Sequence, residues 1–326
     1  MRSFPSFLLF RILQYLILLI LIASASFLLV RYMPGSPLDY LGGEATDIPL
    51  ILTEEAKEKL MEYYGLNKPI TEQYLLYIKN VAFLDFGYST YFSEPVRDVI
   101  LPHLERTLVL VLIGLSISMS LAFPLSIFAA RRRGKLPDIL LTSTSLVLYS
   151  IPSFALAMLF LIFFSLKLKI FPLLGFSIES DLKSLLWHAM APAIVFSIAE
   201  FGKMYYFTRN SFINILDEDY VLFARSKGLK ERTILLRHVM RNALPPILSK
   251  AGLLLGYSLL SCMFVESVFN YPGITWLMLT AYDYYDFPVL QAIFLIVMAS
   301  LVLMNALADI ISMVIDPRMR EGHIWS

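Results

Sequence analysis

Long apolar runs that contain no charged residue constrain this chain more than any other feature. Four of them occur, bounded by Arg11 and Arg31, by Arg106 and Arg131, by Asp138 and Lys167, and by Asp286 and Asp309. The apolar core of a bilayer is about 30 Å thick and is crossed by about 20 mostly apolar helical residues. Each run is therefore long enough to span a membrane as a helix.

Two further runs are apolar but carry charges. Residues 184–207 contain Glu200 and Lys203, and residues 245–269 contain Glu266 near their end. Because Glu200 and Lys203 lie three residues apart, they share a helix face and can neutralise each other. With these two runs, the sequence predicts an all-α polytopic membrane protein with six transmembrane helices.

The composition excludes an ordinary soluble domain. Of 326 residues, 58% are hydrophobic and 16% are charged, whereas soluble domains carry about 25% charged residues. The net charge of +1 offers no overall attraction to nucleic acid. The single cysteine cannot form an intrachain disulfide, and the four histidines lack metal-ligand spacing. We expect no metal and no nucleic-acid partner, with the lipid bilayer as the surrounding medium.

The distribution of lysine and arginine predicts the orientation, because short cytoplasmic loops are enriched in these residues. The loop after the second span (131–135) contains four of them and the segment after the fourth is also basic, whereas residues 271–286 contain none. The first run passes the small residues Ala23 to Ala25 and stays apolar to Val30, so we interpret it as a retained helix. We predict a cell-membrane protein with both termini in the cytoplasm.

The spans divide the chain into four parts. They are an N-terminal transmembrane helix (1–30), an extracytoplasmic segment (31–104), a five-helix core (105–314) and a cytoplasmic tail (315–326). Within the extracytoplasmic segment, which we expect to fold as a small subdomain, Thr53 and Thr71 are predicted helix caps. Gly65 is predicted to end the first of these helices, and residues 85–88 are predicted to form a turn.

A basic segment after the fourth span, residues 211–245, is the most informative part of the sequence. Acidic residues including Asp219 begin a short amphipathic helix whose last turn contains Lys227, and both charges complement the helix dipole. Gly228 supplies the left-handed conformation that ends this helix, and Pro245, with the proline after it, is predicted to end a second helix.

We interpret this segment as two short helices hinged at Gly228, which present an apolar ridge with a basic rim to a cytoplasmic protein. The alternative is a basic amphipathic helix lying on anionic lipid headgroups. Lipid binding does not require a glycine hinge, so a protein partner is the preferred interpretation.

Short polar and proline-containing motifs lie in the basic segment and beside the spans. Those of the basic segment are Asp219-Tyr220, Ala224-Arg225-Ser226-Lys227-Gly228-Leu229, Arg237-His238 and Asn242-Ala243-Leu244-Pro245. Others include Met33-Pro34-Gly35-Ser36-Pro37, Asp85-Phe86-Gly87-Tyr88-Ser89, Ile151-Pro152-Ser153-Phe154, Glu266-Ser267-Val268-Phe269, Asp286-Phe287-Pro288-Val289 and Asp316-Pro317-Arg318. Taken in their order along nearly the whole chain, these motifs resemble those of the permease subunits of the dipeptide, oligopeptide and nickel branch of ATP-binding-cassette (ABC) importers.

The resemblance implies a type I ABC importer permease fold and several partners: a second homologous permease subunit, two ATPase subunits or domains and an extracytoplasmic solute-binding protein. Residues 211–245 would be the loop that couples the permease to the ATPase. The coupling residues would be Asp219, Tyr220, Ala224, Arg225, Lys227, Gly228, Leu229, His238, Asn242 and Pro245. The solute would be a di- or oligopeptide, with nickel chelates, glutathione or oligosaccharides as alternatives.

The chain has no phosphate-binding loop with which to hydrolyse ATP itself. Such a loop needs two glycines five residues apart, then lysine and a serine or threonine. The only Gly-Lys pairs, at Gly134 and Gly202, lack both the earlier glycine and the hydroxyl residue. We expect no catalytic residue and no cofactor bound by this chain, with ATP and Mg²⁺ used by the partner ATPase.

Polar residues of the fifth span are candidates for the solute path, since polar groups within spans are often functional. They are Tyr257, Ser258, Ser261 and Glu266. Small polar residues also allow close helix packing, so packing is the alternative role. A self-sufficient secondary transporter would instead predict inverted repeats and charges at mid-membrane, and a scaffold without transport would leave the hinged loop unexplained.

Overall fold

Helices make up most of the chain in the computed structural model, which describes residues 4–32, 67–173 and 182–315. In chain order the helices are α1 (Phe4–Arg31), α2 (Ile70–Ala82), α3 (Val96–Ala130), α4 (Leu136–Ser150), α5 (Ser153–Lys167), α6 (Leu182–Leu216), α7 (Asp219–Ser226), α8 (Glu231–Phe269), α9 (Ile274–Asp283) and α10 (Phe287–Ile315). The prediction of an all-α protein is confirmed over these ranges.

Described helices lie on each of the six predicted spans, and five of the six, with one bent pair counted as a span, meet the length and composition expected of a membrane span. Four of them, α1, α3, α8 and α10, are long and apolar enough to cross a membrane, and α4 and α5 satisfy the same criterion as a bent pair. Helix α6 has 35 residues and is therefore about 50 Å long, which exceeds a bilayer core. It is less apolar than the others because it carries Glu200, Lys203 and Arg209.

The third predicted span is not one continuous helix, so this part of the prediction is wrong. Helices α4 and α5 meet at an angle of 98°. Pro152 explains the break, because its ring excludes the preceding residue from the helical region. Ile151 accordingly has an extended conformation, with φ −78° and ψ 125°.

The described residues fall into two compact units, the first of which contains Leu108–Tyr271 and the chain from Leu303 onward. It has two buried clusters. One includes Leu110, Phe196 and Phe269. The other includes Tyr205, Phe212, Val221, Ile234 and Val239. The second cluster therefore joins α6, the short helix α7 and the beginning of α8 through apolar contacts.

The second unit contains Leu8–Thr107 and Pro272–Val302. Its buried core includes Val96, Ile100, Leu277 and Leu290. These residues come from α3, α9 and α10, so helices that are distant in sequence share one apolar interior.

A buried carboxylate organises the beginning of α10 in the second unit. Asp286 accepts hydrogen bonds from the Ser89 hydroxyl and from the backbone N–H groups of Thr90 and Tyr91, the latter two at 3.3 Å. Its Oδ1 also accepts from the N–H of Val289 at 3.5 Å. Asp286 therefore caps α10 and holds the loop that contains Ser89 against it.

Two predictions for the extracytoplasmic segment can be compared with the structure. Thr71 is not a cap: α2 begins after Pro69, whose carbonyl accepts from the N–H groups of Glu72 and Gln73 at 3.0 and 3.1 Å. Proline is suited to this position because its fixed φ already matches the helix entry. The turn predicted at residues 85–88 lies earlier, at Phe83 and Leu84, and Tyr88 forms an isolated β-bridge with Pro95. The predicted Thr53 cap and Gly65 helix end lie outside the described residues.

Candidate functional site

Helix α7 begins where the sequence predicts it. Glu218 precedes the helix in an extended conformation, and its carbonyl accepts the N–H of Val221 at 2.9 Å. Asp219 lies in the first turn, where the unpaired N–H groups carry partial positive charge. Only Asp217 and Glu218 separate α6 from α7, so the two helices are joined by a short connection.

Gly228 ends α7 with the predicted left-handed conformation, at φ +73°. The N–H of Gly228 donates to the carbonyl of Arg225 at 2.9 Å, and that of Leu229 reaches the carbonyl of Ala224 at 3.4 Å. This geometry needs a residue without a Cβ, or an asparagine, because most side chains disfavour positive φ. The end of α7 at Gly228 is therefore a consequence of local backbone chemistry.

Two side-chain contacts hold α7 against the first turns of α8. Asn242 Nδ2 donates to Tyr220 Oη at 2.8 Å and to the carbonyl of His238 at 2.9 Å. Arg225 Nε lies 3.0 Å from Glu231 Oε1. These contacts bring together residues that the motifs place in separate parts of the segment.

The second helix of the predicted pair does not end at Pro245, so that prediction is wrong. Helix α8 continues through Pro245 and Pro246 to Phe269. Two prolines remove two N–H donors, which leaves the carbonyls of residues 241 and 242 without their usual helical partners. Both of these residues are exposed, so water can bind their carbonyls and the helix can continue. The segment is one short helix joined to the beginning of a long one.

Apolar side chains of this segment separate into a buried and an exposed set. Val221, Ala224, Ile234 and Val239 are buried in the first unit. The exposed set consists of Tyr220, Leu222, Phe223, Leu229 and Leu236. Five basic residues, Arg225, Lys227, Lys230, Arg232 and Arg237, lie among them in the sequence. We call the exposed set, with these basic residues, the coupling surface.

Phe223 is the most exposed aromatic residue of the coupling surface, with 61% of its area accessible. The ammonium of Lys227 lies 4.5 Å from the centre of its ring. Exposed apolar side chains with cations beside them occur in protein contacts and in helices that lie on a membrane surface.

An ion pair that the sequence did not predict lies beside this site. Arg209 Nε and Nη2 donate to Asp138 Oδ1 and Oδ2 at 2.6 and 2.7 Å, and the two side chains are 15% and 3% exposed. Asp138 bounds the third apolar run, and Arg209 follows the fourth by two residues. Opposite charges at the same membrane side of two spans were the available signal.

The pairing predicted for Glu200 and Lys203 is confirmed. Lys203 Nζ lies 2.7 Å from Glu200 Oε1, and the side chains are 34% and 3% exposed. Gly202, which directly precedes Lys203, packs closely on α4. A Cβ added to Gly202 would lie 2.5 Å from the carbonyl oxygen of Ser145. Glu200 is thus a buried acid that depends on a partly exposed lysine.

The four residues predicted for the solute path differ in exposure and in their hydrogen bonds. Tyr257 is exposed, whereas Ser258 and Glu266 are buried. The hydroxyl of Ser258 donates to the carbonyl of Leu254 at 2.6 Å, and that of Ser261 to the carbonyl of Ser258 at 3.3 Å. The serines thus bond to their own helix.

A cavity of about 160 Å³ lies elsewhere in the first unit. It is lined by Leu112, Leu115, Ser116, Ser118, Met119, Met204, Ala251, Leu254 and Leu255, which belong to α3, α6 and α8. None of the four predicted path residues lines it. Among the residues that the structure describes, no group of three or more histidine, cysteine or acidic side chains could hold a metal ion.

Comparisons with known proteins match most of the chain. The family model described as "Binding-protein-dependent transport system inner membrane component" matches residues 122–321. The glutathione transport system permease protein GsiC of Escherichia coli K12 is 32% identical over 310 residues, covering 95% of this chain and 97% of that protein. The oligopeptide transport system permease protein AppB of Bacillus subtilis 168 is 29% identical over 313 residues, with the same coverage.

A solved structure also resembles this chain. The alignment is to a chain of the MetNI methionine ABC transporter in an inward-facing conformation, with a TM-score of 0.54 and 15% sequence identity. It covers 67% of this chain and 96% of that one. At this identity the similarity concerns the fold.

Proposed function

The chain belongs to the family of binding-protein-dependent transport system inner membrane components, and on this premise we propose that it forms part of the solute path of a peptide importer. It is an ABC importer permease with the predicted type I fold. As a permease subunit it is not itself the catalytic component. The solute, the partner subunits and the role of the coupling surface are the subject of the proposal.

The coupling surface is the observation that carries the proposal. It would dock on an ATPase subunit, which would hydrolyse ATP with Mg²⁺, and a second permease and an external binding protein would complete the importer. The exposed Leu222, Phe223 and Leu229, with basic residues around them, suit an apolar pocket bordered by acidic groups. Because Leu222 carries no charge, docking at that point would depend on apolar burial.

Residues 211–245 would transmit ATP-driven closure of the ATPase to the membrane helices. Tyr220 and Asn242 hold α7 against α8, while the short connection at Asp217 joins α7 to α6. Movement of α7 would therefore tilt two long helices and switch the solute path between the two sides of the membrane. This direction of coupling requires the coupling surface, and with it both termini, to face the cytoplasm.

Peptides are the solute class that the relatives support. One similar permease is named for oligopeptides and another for glutathione, itself a tripeptide. Uptake by the full complex in proteoliposomes, with its binding protein, would be measured for labelled tri-alanine, glutathione, a nickel chelate and maltotriose. Uptake of tri-alanine alone would support the proposal. Uptake of glutathione, the chelate or the sugar in its place would contradict the proposed solute.

The coupling role is tested by substitution at Gly228, where an added Cβ meets no atom within 4 Å. Proline cannot adopt φ +73° because its ring holds φ near −65°. Asparagine tolerates positive φ, so Gly228→Asn is the matched control. The ATPase that co-purifies with the wild type from mildly solubilised membranes should be retained by Gly228→Asn and lost from Gly228→Pro. Retention by both variants would contradict the assigned docking site.

A further inference from the structure

We infer that Asp138 and Arg209 are positioning residues for transport: their buried ion pair makes α4 move together with α6 and α7 when the ATPase subunits close. The inference rests on the proposed coupling role of α7. Through this pair, the movement of the coupling surface would reach a third membrane helix, which does not adjoin residues 217–230 in the sequence.

The pair is built to hold a fixed geometry. Both oxygens of Asp138 accept from Arg209, and Oδ2 also accepts the N–H of Gly134 at 2.9 Å. The guanidinium donates further to Asn210 Oδ1 at 3.2 Å. A two-point contact between a planar guanidinium and a carboxylate restricts rotation as well as separation. Since little of either side chain is exposed, water screens the pair weakly.

A second contact joins the same two helices farther along. Gly202 of α6 packs on the backbone of Ser145 and Tyr149 in α4. Asp138 precedes Ser145 by seven residues, and Arg209 follows Gly202 by seven. The two contacts are therefore about 10 Å apart along each helix. Two separated attachments prevent one helix from pivoting on the other, so α4 and α6 behave as one rigid pair.

The two ends of the α4 and α6 helix pair determine where movement can begin and where a change of angle can be absorbed. At one end α6 leads into α7, with the N–H of Asp217 still bonded to the carbonyl of Ile213 at 3.1 Å. At the other end α4 stops at Ile151, before the 98° bend into α5. A bend at a proline can absorb a change of angle. Movement of α7 would thus tilt α4 and α6 together, while α5 need not follow.

An exposed ion pair nearby provides a matched control. Arg133 Nη1 lies 2.6 Å from Asp217 Oδ2, with side chains that are 59% and 64% exposed. It connects the loop before α4 with the connection after α6, as the buried pair connects the two helices. Exposed pairs contribute little rigidity because water screens them, so removing this pair should leave coupling intact.

The first measurement compares uptake of tri-alanine with ATP hydrolysis in proteoliposomes that contain the full complex. The test variant combines Asp138→Asn with Arg209→Gln, which removes both charges but retains shape. We expect its uptake per ATP hydrolysed to fall about tenfold, while ATP hydrolysis and subunit assembly persist. The control, Arg133→Gln, removes the exposed pair from a position outside residues 211–245 and should match the wild type. An unchanged ratio in the test variant would overturn the inference.

The second measurement needs no substitution of the pair. Spin labels are placed at Leu140 in α4 and Tyr206 in α6, which are both exposed, whereas the native Cys262 is buried and escapes labelling. In otherwise wild-type complexes the distance between the labels should stay the same with and without ATP and vanadate. A distance between the two labels that changes with nucleotide would contradict the inference. If no ATPase assembles with the wild type, the proposed function itself fails.

Discussion

Tyr220 and Asn242 lie 22 residues apart in the sequence and are joined by a hydrogen bond of 2.8 Å between Asn242 Nδ2 and Tyr220 Oη. This bond connects the short helix α7 to the third turn of α8. Both residues are exposed, and Tyr220 belongs to the coupling surface. The bond therefore sets how the coupling surface is presented rather than how the interior packs.

Tyr220→Phe should loosen α7 without unfolding the chain. The substitution removes one exposed hydrogen bond, worth at most about 0.5–1.5 kcal/mol, and leaves the ring in place. Amide hydrogen exchange of residues 219–226 should become faster, while exchange in α3 stays unchanged. Tyr282→Phe, at an exposed tyrosine of α9, is the control. Equal exchange in α7 for wild type and Tyr220→Phe would show that the bond does not restrain the helix.

Gly202→Ala should destabilise the contact between α4 and α6. The new Cβ would lie 2.5 Å from the Ser145 carbonyl oxygen and 2.9 Å from the Tyr149 nitrogen, so backbone atoms would have to move. Overpacking of this kind costs about 1–3 kcal/mol. We expect a lower melting temperature in detergent. Gly134→Asn, at φ +75° in open space, should melt like the wild type, and an unchanged Gly202→Ala would contradict the close packing.

The ion pair in α6 should respond asymmetrically to substitution. Lys203→Met leaves the charge of Glu200 buried without its partner, which costs about 3–5 kcal/mol. Glu200→Gln leaves a lysine that is 34% exposed and can bind water, so its effect should be smaller. Chemical denaturation in mixed micelles would measure both, with the double variant Glu200→Gln, Lys203→Met less destabilised than Lys203→Met alone. The opposite order would mean that Glu200 has another neutralising partner.

Asp286→Ala should destabilise the second unit at the beginning of α10. The change leaves the Ser89 hydroxyl and the N–H groups of Thr90 and Tyr91 without their acceptor, and each buried donor left unpaired costs about 1–3 kcal/mol. Limited proteolysis should cut within residues 89–92 more rapidly. Asp283→Ala, at an exposed acid of α9, is the control. Comparable cleavage of the two variants would contradict the capping role of Asp286.

Local chemistry allowed much of this protein to be predicted. Uncharged apolar runs placed the membrane helices because hydrophobicity and length are properties of a single segment. The end of α7 at Gly228 was predictable for the same reason, since a left-handed residue is required within one turn. Motifs such as Asp219-Tyr220 carried the family resemblance, which the comparisons confirmed for the permease and its fold.

Signals that depended on one residue in isolation were less reliable. Pro152 breaks the third span, whereas Pro245 and Pro246 do not break α8. Proline has the same local effect at each position. At Pro245 and Pro246 the helix continues, and water can bind the carbonyls of the exposed residues 241 and 242. Their solvent exposure is a property of the tertiary arrangement.

Local sequence signals therefore account for the apolar spans, the left-handed residue at Gly228 and the family. Which charges meet depends on packing between distant segments: Arg209 and Asp138 are 71 residues apart, and Asp286 and Ser89 are 197 residues apart. Such pairs form only when packing brings two distant segments within about 3 Å. No local propensity encodes that proximity.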